Sequence, residues 1–440
     1  MAVTLIVGLG DTGLAAARFL HARGERLRVI DSRAAPPCLE ALRAACPGVE
    51  IVTGTLDARW AADAGRVIIS PGLGLDVPVA AEAARRRIPL VSEIELFARA
   101  ATAPVIAVTG SNGKSTVAVL VARMLEAQGF KAPAGGNLGP PALDLLEAGP
   151  ADAYVLEISS FQMETTASLR PRAAAVLNVS PDHLDRHGSL ERYAALKERL
   201  LAAAEHAVVN ADDPLVRAMG ERHPRPIPFS VTRPLGRGYS IVERGGERHL
   251  ARHGAPLLPA RELAIRGRHN EANALAALAL VEVMGAPLAP ALAALRAFPG
   301  LPHRCQRVAE RGGVTYLDDS KGTNVGATLA ALEGLQGPLV LIAGGVGKGA
   351  DFAPLAAAAR GKVKAAVLIG RAAGEIEAAL AGVCPTRRAD GMAEAVRLAA
   401  ALAAPGDTVL LSPACASQDM FRDYRHRGEA FAAAARELPA

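Results

Sequence analysis

The stretch Val108-Thr109-Gly110-Ser111-Asn112-Gly113-Lys114-Ser115-Thr116 constrains this 440-residue chain more than any other. It closes in G-K-S-T as a phosphate-binding loop does, yet Val108 stands where G-x-x-x-x-G-K-[ST] has its first glycine. The apolar run Val105–Val108 reads as a strand, and the run Val117–Leu125 reads as a helix. A strand that turns through small residues into a helix aims several backbone N–H groups at one point, which suits an anion. Lys114 would reach the outer phosphates of a nucleotide, and the Ser115 hydroxyl would sit on Mg²⁺. A plain glycine-rich turn with a surface lysine would not account for strand, G-K-S-T and helix coinciding.

A chain of this length exceeds one ordinary core, so two or three domains are expected. Half of its residues are apolar and only 3% are aromatic, which fits Ala/Leu helices covering short Val/Ile strands and favours α/β. The first block, 1–92, opens strand-turn-helix-strand over Val3–Val7, Gly8–Gly13, Leu14–Ala22 and Leu27–Ile30, a Rossmann-like βαβ unit, and continues through Val67–Ile69 and the turn Ser70-Pro71-Gly72. The second, 93–298, holds the phosphate loop and strands Tyr154–Leu156 and Ala174–Asn178, as in a P-loop ATPase-type domain. Its stretch 222–263 reads only as irregular or β structure. In the third, 299–440, strands Leu339–Ala343, Ala366–Ile369 and Thr408–Ser412 alternate with Ala-rich helices, which argues a doubly wound, Rossmann-like sheet.

The net charge of +5 suits anionic small ligands, whereas nucleic acid is not expected, since no dense basic tract or stacking aromatics occur. Arg85-Arg86-Arg87 reads as a solvated helix end. Five scattered cysteines without C-x-x-C spacing indicate neither a disulfide frame nor a zinc site, so a reducing compartment, the cytoplasm, is expected. The N-terminal strand does not read as a signal peptide, and Glu282 and two prolines break the tract Ala272–Leu295 into a helix pair rather than a membrane span.

Gly8-Leu9-Gly10-Asp11-Thr12-Gly13, with Asp31 at the tip of the next strand, matches the dinucleotide fingerprint, but the same geometry holds any diphosphate attached to a ribose. Glu157 should emerge at a strand end beside the loop helix, where a carboxylate can take the nucleotide's magnesium. Ser180–His187 packs two acids and two histidines into one loop: His183 and an acid could bind a second metal or orient substrate, with His187 simply exposed. Lys197 reads as an ordinary helix lysine. Asn270 and Asn273 share a helix face that could meet a purine edge, one of them being as well explained by capping. Asp318–Asn324 and Gly344–Gly349 follow strands where open α/β sheets bind ligands, and Cys415 reads as packing.

Together these residues resemble the ATP-dependent Mur ligases over nearly the whole chain. The likeness is carried by TGSNGKST (109–116), GGNLG (135–139), EISSFQ (157–162), NVSPDHLDRH (178–187), HNEANALAA (269–277), GLPHR (300–304), DDSKGTN (318–324) and SPACAS (412–417). That family's loop has the shortened form seen here, which accounts for Val108. GLGDTG with Ser70-Pro71-Gly72 is similar to the family's D-glutamate-adding branch. The resemblance implies amide formation in peptidoglycan precursor synthesis, and hence a part in cell shape and division: ATP phosphorylates the carboxylate of UDP-N-acetylmuramoyl-L-alanine, and the D-glutamate amine displaces phosphate.

It further implies that Gly110, Ser111, Asn112, Gly113, Lys114, Ser115 and Thr116 cradle ATP, with Asn270 at adenine, Arg304 at phosphate, Asp319 at ribose and Lys321 nearby. Ser115 and Glu157 would hold one Mg²⁺, and His183 with a carbamylated Lys197 a second. Thr12, Asp31, Ser32, Arg33, Gly72 and Asn137 would bind the UDP-sugar, and Thr323, Lys348 and Ser417 the incoming glutamate. The likeness also suggests a monomer that closes its three domains around the substrates. Val346, where relatives often carry an acid, and Tyr424, where phenylalanine is common, depart from the pattern. Other readings carried forward are a sibling or folylpolyglutamate synthase-like ligase, an NAD(P)-dependent oxidoreductase, and a nucleotide-binding regulator without chemistry.

Overall fold

The computed structural model describes residues 2–265, 267–335 and 337–439, in three sheets that follow one another along the chain. The first has strands β1 (Val3–Val7), β2 (Leu27–Asp31), β3 (Glu50–Thr53), β4 (Ala64–Ile69) and β5 (Leu90–Val91). They are ordered β3-β2-β1-β4-β5 and all parallel. β1 and β2 are buried along their whole length, including Thr4, Arg28 and Asp31, as strands in a sheet covered on both faces are. The helix after β1 runs Asp11–His21, three residues earlier than the apolar pattern suggested, because Asp11 and Thr12 already belong to its first turn. Gly13 is irreplaceable sterically: a Cβ there would lie 2.0 Å from the carbonyl oxygen of Gly8.

The second sheet has nine strands: β6 (Val105–Thr109), β7 (Ala134–Gly136), β8 (Tyr154–Glu157), β9 (Ala173–Val176), β10 (His206–Asn210), β11 (Pro226–Ser230), β12 (Tyr239–Arg244), β13 (Glu247–Arg252) and β14 (Ala255–Pro259). Their order is β14-β13-β12-β11-β10-β9-β6-β8-β7. The stretch read as irregular or β is therefore β, with antiparallel hairpins β12–β13 and β13–β14 extending the parallel part. Helices Lys114–Ala127, Arg268–Glu282 and Leu288–Ala297 pack over one face, the last two being the expected helix pair. No helix among the described residues is long and apolar enough to cross a membrane.

The third sheet has β15 (Gln306–Arg311), β16 (Val314–Asp318), β17 (Leu339–Gly344), β18 (Val363–Ile369), β19 (Thr386–Arg388) and β20 (Thr408–Leu411), ordered β15-β16-β20-β17-β18-β19. Only the β15–β16 pair is antiparallel, and separate apolar clusters cover the two faces, so the expected doubly wound arrangement holds. Three adjacent strands in the second sheet (β9, β6, β8) and three in the third (β16, β20, β17) end in the loops that carry most of the candidate site.

The joint between the first two sheets is polar and buried. Ser92 caps the helix Glu93–Ala100. Glu95 accepts hydrogen bonds from Ala167 N, Ser168 N and Ser168 Oγ. Glu93 accepts from Leu143 N at 2.6 Å; burial, opposed by that bond and reinforced by Asp144, pushes its carboxyl up to about 7. With its folded pKa above the ordinary 4.5, Glu93 adds stability that is fully present below pH 4.5 and is lost as pH rises through 7. The stability of Glu93→Gln relative to the unmutated chain is expected to rise by on the order of 2 kcal/mol between pH 4 and pH 8 in denaturant titrations. A difference flat across that range would contradict this account of the joint.

Candidate active site

The phosphate loop follows β6, the central strand of its local trio. Gly110 (φ 149°) and Gly113 (φ 85°) adopt conformations that disfavour other residues, and a Cβ on Gly113 would lie 2.5 Å from Asn273 Oδ1. The loop is fastened to the strand-end segment after β9. Ser111 N donates to Asn178 O at 2.9 Å, Asn112 N to Asn178 Oδ1 at 2.8 Å, and Ser180 N to Ser111 Oγ at 3.0 Å. Lys114 is the first residue of its helix, and its Nζ donates to the carbonyls of Gly110 and Ser111, both at 2.9 Å.

Glu157 ends β8 alongside Val108, only 2% exposed. Asn137 donates to its Oε1 at 2.7 Å, whereas its buried Oε2 has no hydrogen-bond partner among the described residues. Burial would raise this carboxyl, but Lys114, Ser115, Asn137 and Arg304 outweigh burial and hold it below the usual range. A buried carboxylate with a free oxygen beside a phosphate loop and the Ser115 hydroxyl fits a hard cation. Among the described residues no group of three or more His, Cys, Asp or Glu side chains is arranged to hold a metal, so the protein's ligands to such a cation would be few.

Lys197, unremarkable in sequence, is 1% exposed. Its Nζ donates to Gly110 O at 3.0 Å and lies 4.0 Å from the centre of the Tyr193 ring. Burial, then Lys114, depresses its pKa well below the ordinary lysine value. Burial likewise lowers Lys114, despite Glu157 and Asp182, and takes Lys321 to about 8 with Arg304 adding to the effect. His183 sits in the left-handed region (φ 54°), packed edge-on against Phe161 at 4.7 Å, and burial takes its imidazole to about 4 despite Asp182.

His187 is not exposed as expected. It is 3% exposed, with Nε2 3.0 Å from Ser160 Oγ and its ring against Phe161 and Tyr193, each at 5.3 Å. The short helix Leu184–His187 turns it inward under the loop, a tertiary effect that loop composition does not signal.

From the third sheet, Arg304 stands between two residues in the left-handed region, His303 (φ 62°) and Cys305 (φ 49°), and donates to Ser115 Oγ at 2.7 Å. His303 Nδ1 pairs with Asp318 Oδ2 at 2.6 Å. Asp319 accepts from Ser412 Oγ at 2.8 Å, and burial pushes its carboxyl to about 7. Lys321 Nζ lies 3.9 Å from the Tyr424 ring centre, so the aromatic face at that position is used whether or not it bears a hydroxyl. Lys348 Nζ meets Asp182 Oδ1 at 2.5 Å.

Two adjoining cavities result. One of about 320 Å³ is lined by Asn270, Asn273, Leu177, Phe229, Thr116, Arg304, Asp319 and Lys321, and Asn273 Nδ2 donates to Asn270 Oδ1 at 3.1 Å. The other, about 150 Å³, is lined by Lys114, Ser115, Asn137, Glu157, His183, Lys197, Lys321 and Thr323. They share Asn112, Gly113, Arg304 and Lys321. A partly apolar chamber thus opens onto a strongly cationic one, an arrangement that suits a nucleotide with its phosphates. Lys348 lines a small recess beside Asp182 and His183, whereas Ser417 lies buried just past the Val346–Ala416 bridge and lines none of these spaces.

Asn137 stands at Glu157, and the other residues of its group belong to the first domain. There, Asp31 accepts from Leu9 N at 2.7 Å and is bidentately paired with Arg33, which with the Leu9 bond takes its carboxyl to about 2. Ser32 and Gly72 lie exposed on strand-end loops, and Thr12, in the first turn of the helix after β1, is partly exposed. Cys415 is fully buried and pushed up to about 12 by burial, which fits packing rather than nucleophilic chemistry. Because His187 anchors its loop through stacked rings and a buried hydrogen bond, His187→Ala is expected to cost about 1–3 kcal/mol in equilibrium unfolding. An unchanged midpoint would place that ring outside the packing that holds the loop.

Comparison with known proteins agrees with this geometry. Family models describe residues 2–92 as a Mur ligase MurD-like N-terminal domain, 108–281 as a Mur ligase middle domain and 303–415 as a Mur ligase glutamate ligase domain. A UDP-N-acetylmuramoylalanine--D-glutamate ligase of Nitrosococcus oceani is 51% identical, covering 99% of this chain and 97% of the relative. The protein of that name from Pseudomonas aeruginosa is 48% identical over 99% and 98% of the two chains. Among solved structures, a UDP-N-acetylmuramate-alanine ligase from Thermotoga maritima shares the fold at a TM-score of 0.64, with 22% identity and 98% of each chain covered. The cationic cleft, its strand-end loops and whole-length likeness place the chain in the Mur ligase family.

Proposed function

We propose that this protein is an ATP-dependent acid–amino-acid ligase that adds D-glutamate to UDP-N-acetylmuramoyl-L-alanine, with ADP and phosphate as by-products, in peptidoglycan precursor synthesis. The observation that carries the chemistry is the crowding of Lys114, Lys197, Arg304 and Lys321 around Glu157, whose second oxygen has no hydrogen-bond partner among the described residues, next to a chamber sized for a nucleoside. The relatives' printed names support the choice of amino acid and acceptor.

A carboxylate acylates poorly until it carries a leaving group. A carboxylate oxygen of the acceptor attacks the γ-phosphorus of ATP and ADP departs. The glutamate amine then attacks the acyl carbon, losing a proton, and phosphate leaves with that oxygen. Both steps spread negative charge over phosphoryl oxygens, and fixed cations in a water-poor cleft stabilise it without reorganisation.

In this reading the loop amides of Gly110–Thr116 with Lys114 hold the β- and γ-phosphates, Asn270 meets adenine, Asp319 the ribose, and Arg304 and Lys321 the phosphates. Ser115 and Glu157 would hold one Mg²⁺, with His183 and a carbamylated Lys197 at a second; such ions neutralise phosphoryl charge. The depressed pKa of Lys197 supports this, since only the neutral amine adds CO₂. Thr12, Asp31, Ser32, Arg33, Gly72 and Asn137 are assigned to the UDP-sugar, and Thr323, Lys348 and Ser417 to glutamate. The domains 1–92, 93–298 and 299–440 would close on these ligands. Because one chain supplies every residue named, we propose a monomer, acting in the cytoplasm on small molecules rather than nucleic acid.

The test is Mg-ATP-dependent phosphate release with UDP-N-acetylmuramoyl-L-alanine and D-glutamate, L-glutamate, L-lysine or diaminopimelate offered separately. Release with D-glutamate alone, and a product heavier by one glutamyl unit, is expected; preference for another amino acid would move the specificity, and silence with all four would contradict the reading. Lys114→Ala is expected to abolish release.

A further inference from the structure

Asn324 belongs to no role described so far, yet it is a buried polar side chain that bridges the second and third domains. It is 4% exposed. As N-cap of the helix Val325–Gly334, its Oδ1 accepts from Ala327 N at 2.9 Å. The same oxygen accepts from Asn112 Nδ2 at 3.3 Å, while Asn324 Nδ2 donates to Asn112 Oδ1 at 3.1 Å and to Asp182 Oδ2 at 3.0 Å. Two acceptor sites and two donor hydrogens are thus all used, which no residue other than a carboxamide can reproduce. Asp182 passes the connection on, its other oxygen holding Lys348 Nζ.

A second observation on the same helix agrees. A Cβ on Gly326 would lie 2.8 Å from Ser180 Oγ and 3.4 Å from Asn112 Nδ2, so the helix start is seated directly on the phosphate loop and its brace. The Asn112–Asn324 pair is reciprocal, and reciprocal amide pairs are sensitive to displacement because both bonds lengthen together.

We propose that Asn324 is the positioning residue that sets Lys348 for the incoming amino acid, by tying the third domain to Asn112 of the phosphate loop and, through Asp182, to the lysine itself. The part concerning the amino acid rests on the ligase reading above. The tie gives the nucleotide loop a direct mechanical connection to the amino-acid pocket: a shift of Asn112 moves Asn324, and with it the carboxylate that orients Lys348.

The experiment compares the full-length unmutated chain with Asn324→Ser, Asn112→Ala and the double variant. Serine keeps an N-cap acceptor for Ala327 N but removes both donated hydrogen bonds, so helix capping is separated from bridging. Small-angle scattering of the proteins saturated with a non-hydrolysable ATP analogue is expected to give a larger radius of gyration for each single variant than for the unmutated chain, with the double no larger than either. In steady-state phosphate release, Asn324→Ser is expected to raise KM for D-glutamate about tenfold while KM for ATP changes less than about threefold, and the double variant to fall short of the product of the two singles. Unchanged scattering, unchanged KM for the amino acid, or strictly multiplicative singles would overturn the proposal. If the unmutated chain releases no phosphate with any amino acid, the ligase reading fails instead, and the scattering comparison still decides whether Asn324 ties the domains.

Discussion

Crowded positive charge in a place poor in water is the constraint on which the rest of the site depends. Lys114, Lys197, Arg304, Lys321 and Lys348 converge from two domains on Glu157 and Asp182, and the depressed pKa values of Lys114, Lys197 and Lys321 register the cost of holding them there. Such an arrangement is stable enough to fold because carbonyls, aromatic faces and two carboxylates share the burden: Gly110 O serves both Lys114 and Lys197, and the rings of Tyr193 and Tyr424 lie against Lys197 and Lys321. It becomes electrostatically favourable only when a polyanion enters. The cleft is therefore preorganised for charge it does not itself contain.

The parallel sheets explain why these groups meet. In each of the second and third sheets, three neighbouring strands end at the same edge, and their loops deliver side chains from distant parts of the sequence to one space. Arg304 shows how the two edges are joined: flanked by two left-handed residues and braced by the His303–Asp318 pair, it crosses from the third domain to Ser115. The backbone bridge between Val346 and Ala416 holds two further loops together through N–H and C=O groups, so it does not depend on the side chain at 346.

Much of this was legible in the sequence where local chemistry dictates local structure. The strand-turn-helix around Gly110–Thr116 and the glycine spacing Gly8–Gly13 are written in residues that few other conformations tolerate, and the strand-end position of Glu157 follows from the apolar run before it. What escaped was set by tertiary packing. Nothing in Tyr193–Lys197 announces a buried lysine: its helix supplies the Tyr193 ring, but the Gly110 carbonyl that takes its ammonium lies 87 residues away. His187 was misread for the same reason, and nothing local marks Asn324 as a bridge, because its partners Asp182 and Asn112 lie 142 and 212 residues away.

The central claim is that the cleft activates a carboxylate by phosphorylating it. The most direct measurement supplies UDP-N-acetylmuramoyl-L-alanine with its alanyl carboxylate labelled with oxygen-18, together with Mg-ATP and D-glutamate, and weighs the phosphate released. The account predicts one labelled oxygen in each phosphate, carried there from the acceptor. Unlabelled phosphate alongside amide product would contradict it, since the phosphoryl group would then have passed to water and not to the carboxylate.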